Sequence, residues 1–287
     1  MNILFIILAG VSWGTAGLFV NQLLGFGFDS VEMACVRCVV GGVSALIYTY
    51  FTDKESLKIK LNQVAILIVS GIAFFLMAFL YYLAIKHSSA STAVILLYLA
   101  PIVVMTFSIF YFKEKFTITK LLAAICSLIG CGLVTGLIGG LRFELIGIVY
   151  AILSCLCYAT YSICVKLALT KGAKTGGITA YSFVFAALIS FIFLDVPVMY
   201  TKLSHTPIYG IINFILFGFV TGFLASFFYS KAMEKLPAGV VSSMASIEPM
   251  TQTILCVIFL NEVLTVSSVI GILLILAAVI ALSFCKK

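Results

Sequence analysis

Ten apolar runs, each close to twenty residues long, follow one another along this chain: 3–24, 30–51, 64–85, 90–112, 119–137, 145–166, 177–196, 208–232, 238–260 and 265–285. About 20 mostly apolar residues are what a helix needs to cross a bilayer. The chain is 63% hydrophobic and 9% charged, against about 25% charged in soluble domains. A fold in water could not hide so much apolar surface, so lipid is the expected solvent. The expected architecture is all-α, with ten transmembrane helices separated by short polar breaks such as "TDKESLKIKLN" and "KGAKTGG".

The +7 net charge does not point to nucleic acid, because the cations are scattered through short loops. No cleavable signal peptide is read: Met1–Asn2 carries no basic side chain, and later segments are equally apolar. Nine cysteines are present, and all except Cys285 fall well inside apolar segments, as small packing residues rather than a disulfide framework. Cys35 and Cys38 form a CxxC with no second ligand pair, so no metal is expected.

The cations also orient the chain. With a cytoplasmic N-terminus, the inner segments hold thirteen: Lys54, Lys58, Lys60, Lys113, Lys115, Lys120, Lys166, Lys171, Lys174, Lys231, Lys235, Lys286 and Lys287. The outer segments hold three, Lys86, Arg142 and Lys202, while Arg37 lies within the second span. Both termini are therefore expected in the cytoplasm, and the protein in the cytoplasmic membrane.

The second half echoes the first. Residues 79–114 align with 227–262 at an offset of 148, with six identities in 36 positions. Pro101 and Glu114 meet Pro249 and Glu262; Trp13 and Tyr158 hold similar places at an offset of 145. The expected units are 1–140 and 141–287, five spans each. Five is odd, so the second copy enters the membrane upside down. Inverted repeats are typical of secondary transporters, with the binding site near the midplane between copies.

Glu248 stands out against this symmetry. Its repeat partner is Ala100, so packing common to both copies does not explain it. An acid at mid-bilayer costs about 2.5–3.5 kcal/mol on insertion scales and marks a functional position by default. It could hold an ammonium group, or load and release a proton; the plainer reading is a neutral acid bonded to a neighbouring helix. Pro101 and Pro249 are repeat partners and read as helix breaks.

Trp13–Gly14 in span 1, the arginine of "VRCVVGG" in span 2, and the two spans with proline followed thirteen residues on by glutamate together resemble the EamA family of the drug/metabolite transporter superfamily. The "EP" at Glu248–Pro249, with Glu262 beyond it, resembles the exporters of that family. The resemblance covers essentially the whole chain. It implies a ten-helix carrier with a central cavity and alternating access, and export of amino acids or other small metabolites; relatives carry nucleotide sugars or other solutes. One departure is Tyr158, where the aromatic counterpart of Trp13 is not Trp; the cavity chemistry, and so the substrate, stays open.

Arg37 cannot neutralise itself by losing a proton. It could take a substrate carboxylate bidentately, snorkel outward, or pair with Glu32. Arg37 and Glu248 together would suit the two ends of an amino acid. Trp13 lies mid-span rather than in the interfacial belt. It could line a cavity with Tyr158, Tyr161, Tyr81, Tyr82, Tyr98 and Tyr229, or pack helices. Gly10-x3-Gly14, Gly132-x3-Gly136 and Gly218-x3-Gly222 predict close helix contacts. Glu114 and Glu262 end spans 4 and 9 on opposite faces and read as interfacial, with a gating role as the alternative; Lys166 reads as snorkelling rather than guarding the cytoplasmic mouth.

No Walker loop, nucleophile elbow or metal-ligand cluster is present in the sequence. An enzyme is not expected, nor is a cofactor, and energy would come from gradients or exchange. The expected function is export of a small zwitterionic metabolite, with a small-molecule substrate, a coupling proton and the bilayer as partners and no nucleic acid. The rival within transport is import of an organic cation such as a quaternary ammonium compound; the remote rival is an intramembrane enzyme. Monomer and homodimer fit equally.

Overall fold

In lipid every backbone amide and carbonyl must be bonded inside the chain, so a run of apolar residues has little choice but a helix. The computed structural model describes residues 2–136 and 144–284. Arg142, Cys285, Lys286 and Lys287, which enter the charge count and the cysteine list, lie outside the described residues, as do residue 137 at the end of the fifth expected span and residue 285 at the end of the tenth.

The described residues are helical, without strands. The helices are α1 (Asn2–Gly14), α2 (Ala16–Gly25), α3 (Ser30–Thr52), α4 (Leu61–His87), α5 (Ala90–Leu97), α6 (Ala100–Tyr111), α7 (Ile118–Val134), α8 (Leu145–Thr170), α9 (Thr175–Ser190), α10 (Val196–His205), α11 (Ile208–Phe217), α12 (Ala225–Met233), α13 (Ala238–Met244), α14 (Ile247–Leu260) and α15 (Val266–Ser283). A π-helical stretch, Gly218–Leu224, joins α11 to α12. Eight straight or broken helices are long and apolar enough to cross a membrane: 2–25, 30–52, 61–87, 90–111, 145–170, 208–233, 238–260 and 266–283. α7 and α9 are shorter apolar helices.

One boundary departs from expectation. The seventh apolar run ends at Ser190 rather than residue 196, and α10 starts a separate helix. The Asp195 side chain accepts from Val198 N at 3.1 Å, and Pro197 sits in the first turn, so local chemistry restarts the helix there. Lys202 on α10 reaches back to Glu32 at 2.7 Å. Glu32 also accepts from Asp29 N at 2.8 Å, closing the capping box of α3. Its acceptors are thus engaged by Lys202 and the cap, not by Arg37.

The two prolines break their helices just upstream of themselves. Pro101 offers no N–H to Leu97, and α5 stops there; Pro249 offers none to Ala245, where α13 gives way to α14. Ala245 O accepts from Glu248 N at 2.9 Å instead.

Packing repeats between halves. α4 lies on α8 much as α1 lies on α12; α3 pairs with α9 and α7 with α15; α14 lies on α1 much as α5 and α6 lie on α8. Gly14 makes the α1–α14 approach possible: a Cβ there would stand 2.5 Å from Thr251 Cβ and 2.9 Å from the Glu248 carbonyl. Gly222 does the same for α3, where a Cβ would meet the Arg37 carbonyl at 2.7 Å. The third expected seam moves. Gly136 ends α7 at φ 83°, and the close contact on that helix runs through Gly130 against Gly271.

Candidate functional site

Glu248 lies in the first turn of α14, immediately after the break before Pro249. A helix N-terminus carries partial positive charge, which favours a carboxylate there. The residue is partly buried, among fully buried neighbours from Val241 to Ile247. Tyr98, at the matching break between α5 and α6, donates its hydroxyl to Glu248 Oε2 over a long 3.4 Å. The charge of Glu248 also reaches Tyr81, Tyr158 and Arg37.

Arg37 is held from the opposite side. Its Nε donates to Thr221 O at 3.2 Å. Thr221 lies within the π-helical stretch, where bonding shifts from i−4 to i−5 and carbonyls are freed for other donors. The guanidinium rests over the Phe74 ring, 5.1 Å from its centroid. Arg37, like Glu248, is partly buried, and no ion pair joins the two among the described residues.

A series of rings runs on from Phe74, beneath Arg37. Phe74 meets Tyr161 at 5.1 Å, Tyr161 stacks on Tyr229 at 6.1 Å, and Tyr229 meets Trp13 at 5.2 Å and Tyr158 at 6.5 Å. Tyr229 has no accessible surface, and its hydroxyl shares a 2.7 Å hydrogen bond with Ser162. Beside this series Trp13 Nε1 is buried without a hydrogen-bond partner among the described residues, while the hydroxyls of Ser226 and Ser230 interact with Tyr161 and that of Ser242 with Tyr158 and Tyr229. A buried polar group left unsatisfied costs about 1–3 kcal/mol.

Of the residues singled out from the sequence, Trp13, Tyr158 and Tyr229 meet through their rings and Arg37 joins them through Phe74 and Tyr161; Glu248 meets Tyr98, and Pro101 and Pro249 follow the two helix breaks. Sequence reasoning gave no special weight to Tyr98, whose one signal was its place three residues before Pro101. It missed Thr221 and the serines; Gly218-x3-Gly222 marked the close approach but not the π-helical carbonyl. Lys166 does not snorkel: its Nζ donates to Met233 O and Leu236 O at 2.8 and 2.9 Å, closing the end of α12. Glu114 is not a free interfacial acid either, since its Oε1 accepts from Ala238 N at 2.8 Å.

The chain resembles several bacterial proteins along nearly its whole length. It is 25% identical over 283 residues to the uncharacterized transporter YwfM of Bacillus subtilis, covering 98% of this chain and 93% of that protein. An uncharacterized transporter of Clostridium kluyveri is 25% identical over 296 residues, covering 99% and 94%. The uncharacterized inner membrane transporter YicL of Salmonella typhimurium is 22% identical over 288 residues, covering 98% and 95%. A crystal structure with 17% sequence identity superposes with a TM-score of 0.81 over 98% of this chain and 95% of its own, which shows a shared fold. The model of the EamA-like transporter family matches twice, over residues 1–136 and 145–284. With its broken apolar helices and its family signature repeated in each half, this multi-pass membrane protein belongs to the EamA-like transporter family.

Proposed function

We propose that this protein is a secondary carrier of the cytoplasmic membrane that exports a small zwitterionic metabolite, of the amino-acid class, by alternating access. In this reading residues 1–140 and 141–287 are inverted five-helix halves, both termini face the cytoplasm, and the interior region around Glu248 is the substrate site. The observation that carries it is the separation of Arg37 and Glu248. Charged groups inside a membrane protein are expected to pair with one another or with backbone carbonyls. Here Thr221 O and the Phe74 ring hold Arg37, while Tyr98 meets Glu248, and the two charges are not joined in an ion pair. A substrate carboxylate fits the guanidinium, an ammonium fits Glu248, and the indole N–H of Trp13 adds a donor. In its empty passage back, Glu248 carries a proton in place of the ammonium.

The test is counterflow in proteoliposomes with a panel of radiolabelled amino acids. Wild type should show saturable uptake accelerated by internal substrate. Glu248→Gln and Arg37→Gln should each lose it while keeping wild-type thermal stability. Wild-type rates in both variants would end this reading. Loss in Glu248→Gln alone, with uptake of a quaternary ammonium probe retained by Arg37→Gln, would favour an organic-cation carrier.

A further inference from the structure

The proline-broken segments end alike. α6 closes on Lys113 at φ 54°, and α14 closes on Asn261 at φ 55°. In each, the following glutamate donates its amide to the carbonyl six residues earlier: Glu114 N to Ser108 O at 3.1 Å, Glu262 N to Cys256 O at 3.4 Å. All three pairs, 113 with 261, 114 with 262 and 108 with 256, are repeat partners at the offset of 148. A left-handed residue followed by this six-residue back-bond is a common helix C-terminus, and in both copies it is a glutamate that follows it.

There the likeness stops. Glu114 Oε1 accepts from Ala238 N at 2.8 Å, and Ala238 has no accessible surface. Pro237 before it offers no side-chain acceptor, so Glu114 alone satisfies that amide. Glu262 is exposed, with no side-chain partner among the described residues, and Ala90, the repeat partner of Ala238, is exposed too. Ser89 Oγ serves Thr92 N, which leaves the Ala90 amide unserved. Packing follows the same asymmetry. α6 lies against α13, where a Cβ on Gly239 would stand 3.0 Å from Met105 Cα, while the corresponding α5 and α14 are not packed together.

We infer that Glu114 and Glu262 are reciprocal clasps, each closing one end of the crossing between the two proline-broken segments, and only one at a time. In the conformation described here Glu114 holds α6 to α13, and Glu262 and the Ala90 amide stand apart and exposed. In the opposite conformation Glu262 takes the Ala90 amide, α5 and α14 close, and Glu114 releases Ala238. The inference rests on the alternating-access reading above, and it names the contacts that would distinguish its two end states.

Hydrogen–deuterium exchange on the full chain in nanodiscs of phosphatidylethanolamine and phosphatidylglycerol reads both ends at once. In wild type, the peptide covering 236–244 should exchange slowly and that covering 88–96 fast. Glu114→Ala should speed the first about five-fold, the loss of one cap of about 1 kcal/mol, and slow the second. Glu262→Ala should move both the other way. Glu114→Gln, which keeps an acceptor oxygen, should stay near wild type. Faster exchange at 236–244 with no answering change at 88–96 would reduce Glu114 to a local cap and overturn the clasp. Wild-type counterflow in proteoliposomes together with that result leaves the carrier standing without the clasp. Reciprocal exchange in a protein that shows no counterflow leaves the clasp standing without the carrier.

Discussion

Glu248 is the most lipid-incompatible residue in its segment and has no symmetric partner; in the proposed function it carries the site. It lies in the first turn of α14 and meets Tyr98. Tyr98→Phe removes that one side-chain contact. It should leave the fold intact and lower counterflow several-fold, because the carboxylate loses the hydroxyl that orients it; an unchanged rate would remove Tyr98 from the proposed site. Gly14→Val probes the same place from α1. A side chain there collides with Thr251 and the Glu248 carbonyl, so overpacking of about 1–3 kcal/mol is expected, read as a lower melting temperature in detergent. Glu248 and Arg37 were legible from the sequence because charge in lipid is rare. The serines and Thr221 were not, since a hydroxyl or a carbonyl in an apolar run looks the same whether it packs, bonds its own turn or faces a ligand.

Among helices, the breaks matter more than the spans. Pro249→Ala restores an N–H that can reach Ala245 O, allowing α13 and α14 to fuse and Glu248 to turn away from Tyr98. Counterflow should fall at least about ten-fold, and the melting temperature should hold or rise, since an interior proline costs a helix about 3 kcal/mol. At the α3–α9 seam an exposed ion pair sets a pH dependence outside the spans. The Lys174 ammonium, bonded to Asp53 at 2.9 Å, with Ser56 assisting, holds the Asp53 carboxyl below its usual range. A depressed carboxylate stabilises above its unfolded pKa, about 3.9, and loses that contribution as pH falls through the lower folded value. This tie should therefore be indifferent to pH between about 5 and 8, and Asp53→Asn should change exchange at the start of α9 equally across that range. The proline breaks could be foreseen because proline acts locally. The restart at α10 and the π-helical stretch could not, because Asp195 and Gly218–Leu224 acquire meaning only from what they pack against.

For the molecule as a whole, the cation bias fixes an expected orientation, which reporters of opposite compartment preference test directly. A fluorescent protein fused to either end should fold and fluoresce, while alkaline phosphatase should be active only when placed in the outer loops, after Lys86 or Lys202. Activity at either end would invert the assignment. The pairing of α3 with α9, α7 with α15, and α4 on α8 with α1 on α12 is what two equivalent halves would give. One of its exceptions, α6 on α13 without matching packing of α5 on α14, is where the proposed clasps would differ between two states.

Apolar run length, proline and isolated charge are read one residue or one turn at a time, and lipid leaves them little freedom. The sequence alone therefore pointed to the solvent, the helical class, the main breaks, the family resemblance and the two charges within spans, Arg37 and Glu248; it did not foresee that Glu32 and Lys120 are buried. Which carbonyl Arg37 meets, which glutamate is clasped, and where Lys166 and Glu32 spend their charge depended on chain segments up to 184 residues apart. Those choices are made by packing geometry, and no local pattern carries them.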